Sequence, residues 1–155
     1  MLKCKKVIKI EEVGEQSVYD ICDVFPNNNF IANNIVSHNC LMLDEEISQC
    51  LSYDTKVRTA SGDMSIETLF KISRMRNSVV KVYSYKFFDR EMVEKEANVL
   101  FSGKKVLKKL LFDDGSFVKC SNDHRFFMRD GLVKKSAEIS VGDEVAFVEA
   151  EASGR

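Results

Sequence analysis

Short runs of β-branched and aromatic residues, each closed by glycine, asparagine or aspartate, recur along the whole chain, and they point to an all-β domain. Residues 7–11 and the period-two run 17–24 flank Gly14-Glu15-Gln16 and predict a hairpin. Pro26-Asn27-Asn28-Asn29 reads as a turn, and residues 30–32 and 35–36 flank Asn33-Asn34, a type I′ turn pair. Lys56–Thr59, 79–88 and 94–101 predict strands. Residues 106–112 and 117–120 predict a second hairpin around Asp113-Asp114-Gly115-Ser116, and 126–128 and 144–148 complete the set. One or two short helices are expected. Ser65 can cap a helix over residues 66–72, while the segment 40–49 reads as a helical turn or an exposed connector. The single proline suits long, connected strands.

At 155 residues the chain can bury one real core, and 45% hydrophobic with 30% charged residues is the balance of a soluble globular domain. A net charge of −1 gives no electrostatic reason to expect nucleic acid or an anionic membrane as partner. No apolar run reaches membrane-spanning length, and Met1-Leu2-Lys3-Cys4-Lys5-Lys6 lacks a signal-peptide core, so a reducing cytoplasm and a monomer are expected. The five cysteines, Cys4, Cys22, Cys40, Cys50 and Cys120, are odd in number and form no Cys-x-x-Cys pair. Free thiols are therefore expected rather than a disulfide framework or a structural zinc site, with Cys4 and Cys22 structural.

Two cysteines stand in chemically suggestive company. In His38-Asn39-Cys40 the Asn39 side-chain amide can attack its own carbonyl, close a succinimide and cut the bond to Cys40. His38 is placed to protonate the departing nitrogen, and the thiol of Cys40 suits acyl transfer. Ten residues further on, Cys50 opens the run Cys50-Leu51-Ser52-Tyr53-Asp54-Thr55-Lys56-Val57.

That run resembles the first motif of inteins, the self-splicing elements with a Hint fold. Leu111 to Ser116 with Cys120-Ser121-Asn122-Asp123-His124 is similar to their second motif, with Ser121 where Thr is usual, and Gly142-Asp143-Glu144-Val145 to the motif that follows. Val18-Tyr19-Asp20-Ile21 and the stretch from Phe30 to Asn39 resemble the two carboxy-terminal motifs. The order is permuted: residues 1–39 correspond to a C-intein fragment beginning at Met1, 40–49 to an extein segment, 50–148 to an N-intein fragment, and 149–155 to a polar tail. Together the two fragments make one Hint domain, a horseshoe of short antiparallel strands, with no room for an endonuclease. A ten-residue segment reaches at most roughly 35 Å and can bow out as a loop between neighbouring splice junctions.

The resemblance implies roles for particular residues. Cys50 attacks the Gln49 carbonyl in an N-to-S acyl shift, His124 protonates the amide nitrogen, and Ser121 with nearby backbone N–H groups steadies the oxyanion. Cys40 then takes the acyl group, Asn39 cyclises with help from His38, and a final S-to-N shift leaves residues 40–49 as a cyclic peptide. The two intein fragments stay associated, and no metal or cofactor is needed. Asn28 occupies a position where many inteins carry His, so proton transfer in the middle steps is in question. Asp123 orients the loop or sits as an exposed turn carboxylate, Asn122 supports it, and Cys120 is a buried strand residue, a tuner of the site or a redox partner of Cys50. Two other readings stay open: the same intein held as an unspliced precursor, and a β-domain binding zinc or a partner through Cys40, Cys50, His38 and His124.

Overall fold

The computed structural model describes residues 2–39 and 50–149. In chain order the strands are β1 (Leu2–Cys22), β2 (Asn29–Ala32), β3 (Ile35–His38), β4 (Leu51–Ser52), β5 (Lys56–Thr59) and β6 (Gly62–Ser65). Helix α1 (Ile66–Arg76) follows, then β7 (Val80–Lys86), β8 (Glu91–Phe112), β9 (Phe117–Cys120), β10 (Arg125–Phe127), β11 (Val133–Lys135) and β12 (Glu144–Val148). A single 3-10 turn, Ser136–Glu138, lies between the last two strands. All strand pairings among the described residues are antiparallel, so the fold is all-β with one short α-helix. The strands run β6-β5-β2-β3-β12-β1-β4-β9-β8-β7, with β10 joined to β3 and β11. Among the described residues no helix is long and apolar enough to cross a membrane.

The two long strands set the architecture. Strand β1 pairs with β12 at its start and then with β8 from Val7 opposite Phe112 to Cys22 opposite Asn98. The hairpin expected around Gly14 is absent; β1 runs straight through it. Gly14 has φ +83° and lies at a register shift in the β1–β8 pairing, so it forms a bulge where the sequence suggests a turn. The two halves of β1 pair with the same long partner instead of with each other. Likewise, 94–101 and 106–112 are parts of one strand, β8, joined through a second bulge at Ser102-Gly103.

Elsewhere local chemistry sets the elements as expected. Asn33 and Asn34 have φ of 51° and 69°, the double positive φ of a type I′ turn, and close β2 onto β3. Ser65 caps α1 by accepting the Thr68 N–H at 3.2 Å. The helix outlasts the expected end at residue 72, with Arg74 and Arg76 in its last turn and left-handed Asn77 closing it. Its buried Ile66 and Leu69 join a core shared with Ile21, Phe30, Leu110, Phe112 and Phe126. Residues contributed by β1–β5, β7–β10 and β12 thus pack into one core, with Met64 of β6 against it. The expected connector at 40–49, the catalytic candidate Cys40 and all of the tail beyond Glu149 lie outside the described residues.

Candidate active site

Cys50 stands immediately before β4, the two-residue strand between β1 and β9. Val18 pairs with Ser52 and Tyr19 with Leu51, so the next pair of this antiparallel register is Asp20 with Cys50. Both residues are buried, and the Cys50 Sγ lies 3.6 Å from Asp20 Oδ2. From β8, Ser102 donates to the same carboxylate oxygen at 2.8 Å and Lys105 Nζ lies 3.3 Å from the sulfur. The bulge of β8 at Ser102-Gly103 brings these two side chains in. Between Ser17 opposite Lys104 and Tyr19 opposite Phe101, one residue of β1 faces two of β8, and Gly103 takes φ +86°.

Burial controls the titration of this group. It lifts the Asp20 carboxyl to about 6, partly offset by hydrogen bonds from Ser102 and Cys50 and by the Lys105 charge. Burial, with the Asp20 charge behind it, pushes the Cys50 thiol up to about 11 against the pull of Lys105. Asp20 Oδ1 is buried without a hydrogen-bond partner among the described residues.

The loop Ser121-Asn122-Asp123-His124 is bonded to Cys50 through the main chain. The Cys50 N–H donates to Ser121 Oγ at 3.0 Å, and the Ser121 N–H donates to the Cys50 carbonyl at 2.9 Å. The Ser121 hydroxyl therefore touches the Cys50 amide nitrogen, whereas the resemblance asks it to steady an oxyanion. The His124 N–H donates to the Ser121 carbonyl at 3.3 Å, and its fully buried ring packs edge-on to Phe126 at 4.7 Å between centroids.

The 3-10 turn holds this loop from behind. Ser136 donates its N–H to the His124 carbonyl at 2.7 Å and its hydroxyl to the Ser121 carbonyl at 2.6 Å; Ala137 N–H reaches the Asn122 carbonyl at 3.0 Å.

The His38-Asn39 end approaches the same loop. Ser37 on β3 pairs with Phe126 on β10, two residues after His124. Asn39 is buried, with its N–H donated to the Asn28 carbonyl at 3.1 Å, and His38 packs on Phe127 with centroids 5.9 Å apart. The fold thus sets Cys50 against the Ser121–His124 loop and leads β3, which ends at His38, towards β10, the strand that follows that loop.

Other expected residues sit differently. Asn28 is exposed, at φ 57°, and serves Asn39 through its backbone carbonyl. The side chain that is buried and ordered in that turn is the neighbouring Asn29, whose amide bonds Tyr85 N–H at 2.7 Å and Tyr85 C=O at 2.9 Å. Asn122 and Asp123 are exposed; Asp123 pairs with Lys135 at 3.9 Å, which fits the turn-carboxylate reading. Cys120 is a buried strand residue whose thiol burial pushes up to about 12, inert by the usual standard. Cys22 corrects the expectation of free thiols throughout: it is buried and disulfide-bonded, whereas Cys4, Cys50 and Cys120 are free. Closeness of two cysteines in space depends on the fold, and sequence spacing alone does not reveal it.

Sequence reasoning left out Asp20, Ser102, Lys105 and Ser136 as site residues. Asp20 has a signal: it is a carboxylate set directly between Tyr19 and Ile21 in a strand-like run. Chemically, the arrangement offers a buried thiol between a carboxylate and an ammonium, backbone and hydroxyl groups around its peptide bond, and a histidine on the adjoining loop. Among the described residues no group of three or more His, Cys, Asp or Glu side chains is placed to hold a metal ion. No protein-family model matches the chain, and no curated protein does so either.

Proposed function

We propose that this chain is a permuted split intein that excises residues 40–49 as a cyclic peptide by autocatalytic protein splicing. Cys50 attacks the carbonyl of residue 49, Cys40 takes over the acyl group, and Asn39 cyclises to free the C-intein fragment. Ser121 and the backbone around it steady the carbonyl oxygen in the first step, and His124 protonates the nitrogen that leaves. His38 does the same for the bond after Asn39.

One observation carries this reading. Cys50 is bonded to the Ser121–His124 loop by its N–H to the Ser121 hydroxyl and by its carbonyl from the Ser121 N–H, while β3, which ends just before Asn39, pairs with β10, which directly follows that loop. Two junctions ten residues apart in sequence need such a meeting point, and a structural cysteine does not. The sheet also accounts for the expected association of the fragments. Strand β1 pairs with β4, β8 and β12, so cutting both junctions leaves two chains interleaved in one sheet. The reaction needs reduced thiols, so a cytoplasmic setting goes with this function, and the disulfide at Cys22 must be open there.

A long-lived precursor of the same intein is the second reading, and the burial that pushes the Cys50 thiol up to about 11 favours it, since little thiolate is present near neutral pH. Two variants test the function by separating its halves. Cys50→Ala should abolish hydroxylamine-sensitive cleavage before residue 50 while leaving cleavage after Asn39, and Asn39→Ala should do the reverse. Cleavage patterns that ignore both substitutions would remove the basis of the proposal.

A further inference from the structure

The intein motifs account for Cys50, Ser121 and His124, but not for the ammonium group beside the sulfur. Lys105 comes from the far edge of a bulge: Gly103 at φ +86° lets β8 carry one extra residue, and the strand then delivers Lys105 Nζ to 3.3 Å from Cys50 Sγ. Lys105 forms no ion pair with a carboxylate among the described residues, unlike Lys5, Lys119 or Lys134. A lysine whose only purpose was to neutralise Asp20 would sit on its carboxylate, where Ser102 is instead found. We propose that Lys105 is a further catalytic residue of this site, whose ammonium holds the Cys50 sulfur and stabilises the thiolate as it forms, an inference that rests on the splicing reading above.

The step balances without any added reagent. The Cys50 sulfur bonds to the carbonyl carbon of residue 49, and the carbon–nitrogen bond between residues 49 and 50 breaks. The thiol proton passes to the Asp20 carboxylate, 3.6 Å away. The leaving nitrogen takes a proton from His124, so no proton is gained or lost overall. Lys105 stays protonated throughout and acts by charge and hydrogen bonding. The buried thiol needs such a partner: its own proton is held tightly, and a positive charge on the sulfur side lowers the cost of releasing it.

The test compares Lys105→Met and Lys105→Arg in the full chain carrying Asn39→Ala, which keeps the C-terminal junction closed. The readout is the rate of hydroxylamine cleavage before residue 50 as a function of pH. The ionisable groups facing the sulfur are Asp20 from β1 and Lys105 from β8, with His124 on the adjoining loop. Loss of one charge-assisted bond to the nucleophile should slow Lys105→Met roughly tenfold to a hundredfold and move its profile to higher pH, with Lys105→Arg retaining part of the rate. A carbon-13 titration of the Cys50 β-carbon should move in the same direction. Cleavage after Asn39, measured for Lys105→Met with Asn39 restored and Cys50→Ala present, should match the Cys50→Ala control and so report an intact fold. An unchanged rate and an unchanged Cys50 titration in Lys105→Met would overturn the role of Lys105 while leaving splicing in place. Absence of a hydroxylamine-sensitive junction before residue 50 even without a Lys105 substitution would overturn the splicing reading and this inference with it.

Discussion

Replacing Asp20 with asparagine should make the protein more stable and less active at once. The fold raises the Asp20 carboxyl from 3.8 to about 6, so the folded state binds this proton more tightly than the unfolded chain does. The associated stability is complete below pH 3.8, declines as pH rises between 3.8 and about 6, and is missing above that. Two pKa units correspond to about 3 kcal/mol, the cost of keeping a buried, half-satisfied carboxylate ionised near neutral pH. Asp20→Asn removes that charge in nearly the same shape, and the Ser102 hydroxyl can still donate to the amide oxygen. The amide nitrogen would then stand where Oδ1 lacks a partner among the described residues, giving back part of the gain. A net stabilisation of about 1–2 kcal/mol at about pH 8 is expected, with none near pH 4. Urea unfolding of Asn39→Ala chains with and without Asp20→Asn, across that pH range, measures it. Every other carboxylate contributes equally to both curves, so their difference isolates Asp20. The same substitution should slow thioester formation at Cys50, because the proton acceptor beside the thiol is gone. A destabilised Asp20→Asn chain at pH 8, or two parallel pH curves, would refute the reasoning.

Two further substitutions probe the frame around the site. Ser136→Ala removes the hydroxyl that holds the Ser121 carbonyl at 2.6 Å, and should cost about 1–2 kcal/mol in unfolding measurements and slow cleavage before residue 50. Lys5 is buried on Phe147 and bonded to Asp114 at 2.9 Å. Partial burial of Asp114 works against its ionisation, yet hydrogen bonds from Ser116 and Lys5 outweigh it and hold the carboxyl at about 2. The stabilisation is therefore present above pH 3.8 and lost as pH falls towards 2, and Asp114→Asn should lower the urea midpoint at neutral pH by well under the full shift because the carboxylate is half exposed to solvent screening.

The features legible in the sequence are those fixed by neighbours along the chain. Asn33-Asn34 demands positive φ twice, Ser65 meets the first turn of its own helix, and Asp113 to Ser116 turns one strand into the next; each is a local contact. Gly14 shows where local reading fails. Positive φ serves a turn and a bulge equally well, and only the existence of β8 as a common partner decides between them. The candidate site divides along the same line. Cys50, Ser121, His124 and Asn39 are visible because their motif order is recognisable, whereas Lys105 and Ser102 reach Cys50 and Asp20 only through a strand register set more than fifty residues away. Ser136 is likewise hidden, as a serine in a short polar turn whose three hydrogen bonds to the loop depend on tertiary packing. Asn28 stands where the resemblance expects a histidine; the geometry gives its backbone a role and assigns the buried side-chain work to Asn29.

The most direct test is the intact mass of freshly purified protein kept with a mild reductant and followed over hours. Splicing predicts two fragments, one ending at Asn39 as its succinimide or hydrolysed form and one beginning at Cys50, together with a species of residues 40–49 one water lighter than the linear peptide. A mass that stays at the full 155-residue chain under those conditions, or a linear 40–49 peptide with no cyclic form, would contradict cyclisation by this chain.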